Sequence, residues 1–193
     1  MNNNDLLVRD TRAEMEQEVA ECRALFEKKT RDYGTSWRIL RLPSLTDQIF
    51  IKANRIRSIQ ESGENRVGDD VRDEFVAMVN YAVMALILNE ELRIKAEELA
   101  EAKPERVMEL YDVQMKRVLD LMMDKNHDYG EAWRQMRISS MVDLILMKLL
   151  RIKQIEDNEG RTLVSEGVEG GYMDIINYSL FCLVRMTEMK TEN

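Results

Sequence analysis

The sequence predicts an all-α protein: two tandem three-helix repeats packed as a helical bundle about a pseudo-two-fold axis. Gly and Pro are scarce, 8 and 2 in 193 residues, so turns are few and elements long. Leu, Met, Glu, Lys and Arg abound, and their unbranched or γ-branched side chains lose little freedom in a helix. The chain also repeats itself: "KTRDYGTSW" at 29–37 returns 96 positions later as "KNHDYGEAW" at 125–133.

That shift leaves 14 identities between 29–59 and 125–155, among them Asp32/Asp128, Tyr33/Tyr129, Trp37/Trp133, Lys52/Lys148 and Arg55/Arg151. Ordinary residue frequencies give about two by chance, so the unit is duplicated. With one more residue inserted, "FVAMVNYAVMAL" (75–86) aligns with "YMDIINYSLFCL" (172–183). The repeats are placed at 1–103 and 104–193, as halves of one cooperative domain, because neither half could bury its apolar faces alone.

The first helix of each copy is expected at about 12–33 and 104–129. Pro104 suits a first helical turn, where its missing N–H costs nothing. Gly34 and Gly130 follow as residues able to take the left-handed conformation that ends a helix. The second helices are expected to start at Ser44 in "SLTD" and Ser140 in "SMVD", read as capping boxes, and to end near Gly63 and Asn158. The third helices cover about 70–102 and 166–189.

Several function classes are excluded. A net charge of −8 argues against direct contact with nucleic acid, whose phosphates require a basic footprint. The opening "MNNNDLLVRD" lacks the basic and apolar regions of a signal peptide, and no apolar run approaches the roughly 18 residues of a membrane span. Cys22 and Cys182 form no CxxC and read as buried free thiols, so a cytoplasmic setting is expected. The single histidine, His127, is Arg31 in the other copy, which argues against a metal or general-base role. No Gly-rich phosphate loop, nucleophile elbow or Cys/His cluster is present.

The candidate chemistry lies in charges repeated on apolar helices. Asp47 and Asp143 are explained by capping, and Trp37 and Trp133 by core anchoring. Lys148 and Arg151 sit in "MVDLILMKLLRIKQI", apolar nearly all round, and Lys52 and Arg55 repeat them. A charge on a buried helix needs a partner, either a structural carboxylate or a bound anion such as phosphate. A Lys and an Arg three residues apart share a face suited to gripping phosphates. On the third helix, i, i+4, i+8 and i+11 also share a face. It reads Asp69, Asp73, Ala77, Asn80 in copy one and Glu166, Gly170, Asp174, Asn177 in copy two. Oxygen ligands facing a Lys/Arg pair suit a Mg²⁺–phosphate site.

The set K-x-x-DYG-x-x-W, K-x-x-RI and D-x-x-NY resembles the nucleotide modification associated domain 1 family, over about 25–86 and 121–183. The layout also resembles MazG-like all-alpha nucleotide pyrophosphatases, which hold Mg²⁺ on acidic helix motifs and cleave nucleoside triphosphates to monophosphates. The departures are that Lys148 and Arg151 stand where those enzymes carry an ExxE-type pair, and that Ala77 replaces the acidic position in copy one.

The leading expectation is a Mg²⁺-dependent (Mn²⁺ in its place) nucleotide-binding or nucleotide-processing protein, read most sharply as a (deoxy)nucleoside triphosphate diphosphohydrolase. Glu166, Asp174 and Asp128 would hold the metal. Lys148, Arg151, Lys52 and Arg55 would hold phosphates, and Tyr129 or Trp133 would stack on the base. Its partner is a small nucleotide, not nucleic acid or membrane, and self-association is left open. The alternative is a non-catalytic helical scaffold whose motifs are structural. The two readings separate on one point: whether Asp128, Lys148 and Asp174 converge on an open pocket or close into core ion pairs.

Overall fold

The computed structural model describes residues 10–94, 102–161 and 167–191. They form α1 (Thr11–Tyr33), α2 (Leu42–Ser62), α3 (Val71–Ile94), α4 (Pro104–Tyr129), α5 (Ile138–Asp157) and α6 (Val168–Thr191). Short 3-10 turns at Ser36–Ile39 and Ala132–Gln135 follow α1 and α4. No strand occurs among the described residues.

Asp10 caps α1, accepting the Ala13 N–H at 3.1 Å. Both glycines end their helices at positive φ, +62° at Gly34 and +59° at Gly130, but only Gly130 is in the expected left-handed helical conformation, with ψ +48° against −142° at Gly34. Gly130 donates its N–H to the Asn126 carbonyl at 2.9 Å, which closes the last turn of α4. The chain then bends into the 3-10 turn and carries its tryptophan back toward the bundle.

The capping boxes are not formed. α2 and α5 start two residues before Ser44 and Ser140, behind extended Arg41 and Arg137, with no side-chain cap on either. The Arg41 carbonyl already receives the Ser44 and Leu45 N–H groups, so Ser44 lies inside the first turn. Asp47 and Asp143 reach across the bundle instead. Asp47 pairs with Lys153 at 2.5 Å, and Asp143 with Arg57 at 3.6 Å.

Those two pairs are mates. Shifting Asp47 and Arg57 by one repeat gives Asp143 and Lys153, so each copy presents to the other what it receives. The helix packing obeys the same exchange. α2 packs on α3 as α5 packs on α6, α1 touches α6 as α4 touches α3, and α2·α5, α3·α6 and α1·α4 map onto themselves. This is the reciprocity of an isologous interface, formed within one chain.

The core is continuous across both copies. Ile49, Ala53 and Ile56 on α2 and Ile145, Leu149 and Ile152 on α5 are all buried, with α3 and α6 supplying Phe75, Val79, Val83, Ile176 and Leu180. One expectation is corrected here: Val71–Leu92 has the length and hydropathy of a membrane span. Most of its apolar window is buried, against α2 on one side and α6 on the other. Apolarity all round is what a helix enclosed by neighbours requires. Cys22 and Cys182 are buried and unpaired.

Candidate functional site

Where α4 runs out, its last turns and α6 enclose a cavity of about 410 Å³, roofed by the following 3-10 turn. Met122, Lys125, Asn126 and Tyr129 line it from α4; Asp174, Asn177, Tyr178 and Phe181 line it from α6. Both sets follow i, i+3, i+4, i+7, a single stripe on each helix. Gly130 is what lets the chain turn sharply enough to bring Ala132 and Trp133 over the gap.

The Trp133 ring is only 6% exposed. It stacks on Phe181 with centroids 4.5 Å apart and 9° between planes, and the Arg134 guanidinium lies 4.3 Å from its centroid. Its Nε1–H donates to Asn126 Oδ1 at 3.2 Å. Arg134 is itself held by Glu14, by Glu131 at 2.6 Å and by Glu188 at 2.5 Å. Trp133 is thus a fixed wall. Tyr129, 76% exposed, is the movable aromatic at the rim.

Asp174 carries the site's charge. Lys148 pairs with its Oδ2 at 2.6 Å and Lys125 with its Oδ1 at 3.3 Å. Burial, and then the Asp174 carboxylate, pushes the Tyr178 phenol above its ordinary value. Asn177 is 6% exposed, and its Oδ1 is buried with no hydrogen-bond partner. An acceptor left so costs about 1–3 kcal/mol, a penalty that a donor on a bound molecule would relieve. A second cavity of about 370 Å³ adjoins the first, sharing Lys125 and Asp174 and adding Arg117 and Glu169.

The site differs from the expected one in several places. Lys148 lines neither cavity; it stands behind Asp174 as counter-ion. Lys52 and Arg55 are both clamped on buried Glu74, Lys52 at 3.1 Å. Glu74 is absent from the expected acidic stripe, and it occupies the helical position of Gly171 in copy two. Arg151 is exposed on α5, with no ion pair among the described residues. Asp128 is 77% exposed and meets only its neighbour His127, so it does not join Asp174. Glu166 lies outside the described residues.

No group of three or more His, Cys, Asp or Glu suited to a metal occurs among the described residues. Of the expected Mg²⁺ ligands, Asp174 is held by two lysines and Asp128 stands apart from it in solvent, so the described residues do not bring these two together. The residue that sequence reasoning passed over is Lys125, the one cation lining both cavities, together with Asn126 and Tyr178. The signal was available: Lys29/Lys125 is one of the 14 identities, and Tyr81/Tyr178 lies in the third-helix alignment.

The first copy builds a smaller cavity from many of the corresponding positions, with Lys29, Tyr33, Trp37 and Tyr81 in place of Lys125, Tyr129, Trp133 and Tyr178. Four side chains identical in both copies thus surround one cavity in each. A family model described as nucleotide modification associated domain 1 matches residues 29–88 and 125–186, more than half of the chain and nearly every cavity position. No curated protein and no solved structure matches, and the further likeness to MazG-like enzymes finds no support there.

Proposed function

Since the chain belongs to the nucleotide modification associated domain 1 family, we propose that its second copy binds a nucleotide in the cavity between α4 and α6. One observation carries the reading: a lysine, two tyrosines and a tryptophan kept identical between the copies line the cavity in each, combining flat aromatic rings with a cation. Aromatic walls with a few placed polar groups are the usual make-up of a small-molecule site. Tyr129 and Tyr178 suit the faces of a base, and the unpartnered Asn177 Oδ1 suits a ring or exocyclic N–H. Phosphates would run past Lys125 toward Arg117 in the adjoining cavity, taking the place of the Asp174 and Glu169 carboxylates that these cations hold.

The proposal is binding, not turnover. Both Asp174 oxygens face lysine ammonium groups, which leaves no described carboxylate free to act as a general base beside the cavity. Mg²⁺-dependent cleavage of a nucleoside triphosphate is therefore an arm of the test rather than part of the reading.

The test is thermal melting of the full chain with a panel of ribo- and deoxynucleotides, with and without Mg²⁺ or Mn²⁺, alongside assay of released pyrophosphate. A nucleotide at about 100 times its Kd stabilises the fold by about 2.7 kcal/mol, well above measurement error. Tyr129→Ala removes an exposed ring and should leave the apo melt nearly unchanged while abolishing the nucleotide-dependent rise. Asp174→Asn should lower the apo melt as well, because it leaves Lys148 half-buried without its counter-charge. A wild-type melt that no nucleotide moves, beside a much lower Asp174→Asn melt, would make the cluster a structural ion pair and sink the reading in favour of a scaffold.

A further inference from the structure

The first copy repeats the cavity but reverses its hydrogen-bonding. In copy two Asn126 accepts the Trp133 N–H at 3.2 Å. Its counterpart is Thr30, and the Trp37 Nε1–H is buried with no acceptor. The amides reverse too. Asn80, the counterpart of orphaned Asn177, is satisfied: its Nδ2 donates to the Cys22 carbonyl at 3.0 Å and its Oδ1 accepts from Tyr111 at 2.9 Å. A residue lining each cavity thus buries one unpartnered polar atom, an acceptor on Asn177 in the second copy and a donor on Trp37 in the first.

Charge and size differ as well. Ala77 stands where copy two has Asp174, and no carboxylate lines the first cavity, so Lys29 is the charge in its wall. Its volume is about 240 Å³ against about 410 Å³. That falls below the roughly 300 Å³ at which pockets for larger ligands begin, and suits a single ring.

We propose that the first copy is a second, non-equivalent binding site, for an oxopyrimidine nucleotide. A ring carbonyl accepts from Trp37 Nε1–H, the ring lies among Tyr33, Trp37 and Tyr81, and the phosphate meets Lys29. The spare donor selects a ring bearing a carbonyl, the small volume selects one ring over two, and the uncompensated lysine selects an anion. The site extends the nucleotide reading from the second copy to the first, yet it stands on its own observations.

The two tryptophans of the chain lie one in each cavity, so fluorescence reads the sites separately. In full-length Trp133→Phe, Trp37 is the only emitter; in Trp37→Phe, it is Trp133. The probes are uridine 5′-monophosphate, thymidine 5′-monophosphate, adenosine 5′-monophosphate, uridine and inorganic phosphate. The expected result is a saturable change in Trp37 emission with the two pyrimidine monophosphates, at least tenfold weaker with uridine, adenosine monophosphate or phosphate alone. Lys29→Ala in the Trp133→Phe background should weaken it at least tenfold.

A Trp37 emission indifferent to millimolar pyrimidine monophosphate overturns the proposal. If Trp133 still responds in Trp37→Phe, the reading of the second cavity survives that failure. A response at Trp37 alone does the reverse. Where Trp133→Phe does not fold, equilibrium dialysis of labelled uridine monophosphate against the wild type and Lys29→Ala decides. Loss of one bound equivalent on Lys29→Ala supports the first site, and unchanged stoichiometry and affinity overturn it.

Discussion

Gly130 adopts φ +59° and ψ +48°, with nothing near the place where a Cβ would stand. The demand on this residue is therefore conformational and not steric. Gly130→Ala should cost about 1 kcal/mol, the penalty of holding a Cβ-bearing residue in the left-handed region. In urea melts this is a lower midpoint with the slope unchanged. Gly130→Asn should cost less, because Asn tolerates that region better. Glu156 gives a pH-dependent case. Burial raises its carboxyl above the ordinary value, while hydrogen bonds from Thr46 at 2.8 Å and Tyr172 at 3.1 Å oppose the rise. A folded pKa above the unfolded one means that the native state holds the extra proton. The stability contributed by protonated Glu156 is then greatest below the unfolded pKa of 4.5 and is lost as pH rises through the folded value. Glu156→Gln should accordingly melt higher than the wild type at pH 7, and the gap should close toward pH 4. A constant gap across that range would contradict the account.

At the scale of elements, the contact between α5 and α6 depends on a missing side chain. A Cβ on Gly171 would lie 2.8 Å and 2.9 Å from the Cγ1 and Cδ1 atoms of buried Ile152. Gly171→Ala gains about 1 kcal/mol of helix propensity but overpacks the interface at about 1–3 kcal/mol. Because Ile152 is enclosed by core and cannot swing away, a net loss is expected. Combined with Ile152→Ala, the two losses should add to less than their sum by at least about 0.5 kcal/mol, as a double-mutant cycle would register. Strict additivity would mean that α6 shifts freely on α5. The first copy has Glu74 at this helical position and spends it on Lys52 and Arg55. The second has Gly171 there, so its lysine pairs one turn along at Asp174, beside the cavity. That one-turn relocation is what makes the copies chemically unequal.

For the whole molecule, the reciprocal packing of α2 on α5 and α3 on α6 forms the centre of the bundle. Residues 1–103 and 104–193 made separately would each expose that centre. Neither fragment should fold as a monomer: circular dichroism should show weak helicity and no sharp melt until the two are mixed, or until one pairs with a second copy of itself. A monomeric fragment with a cooperative transition, seen by chromatography and melting, would show that each repeat is a domain in its own right. The Asp47–Lys153 and Asp143–Arg57 pairs at this interface are largely exposed, and each should contribute less than about 1 kcal/mol. Apolar burial, not charge, is expected to hold the copies together.

The sequence by itself determined the duplication, the all-helical class and the ends of α1 and α4. These rest on local physics: side-chain entropy in a helix, and a backbone angle that glycine tolerates best. It misplaced the starts of α2 and α5, because Ser-x-x-Asp has the form of a capping box whether or not the helix has already begun upstream. Only the tertiary structure decided which charges meet. Helical periodicity says which residues share a face, but not which face lies opposite. Asp174 and Lys148 were placed together correctly from two such faces, yet Lys125 joined them from α4, and Asp128, two residues before Gly130, was carried outward to solvent. The cavity is likewise tertiary, since its walls come from stripes on helices some 50 residues apart, brought together by a turn whose geometry one glycine permits.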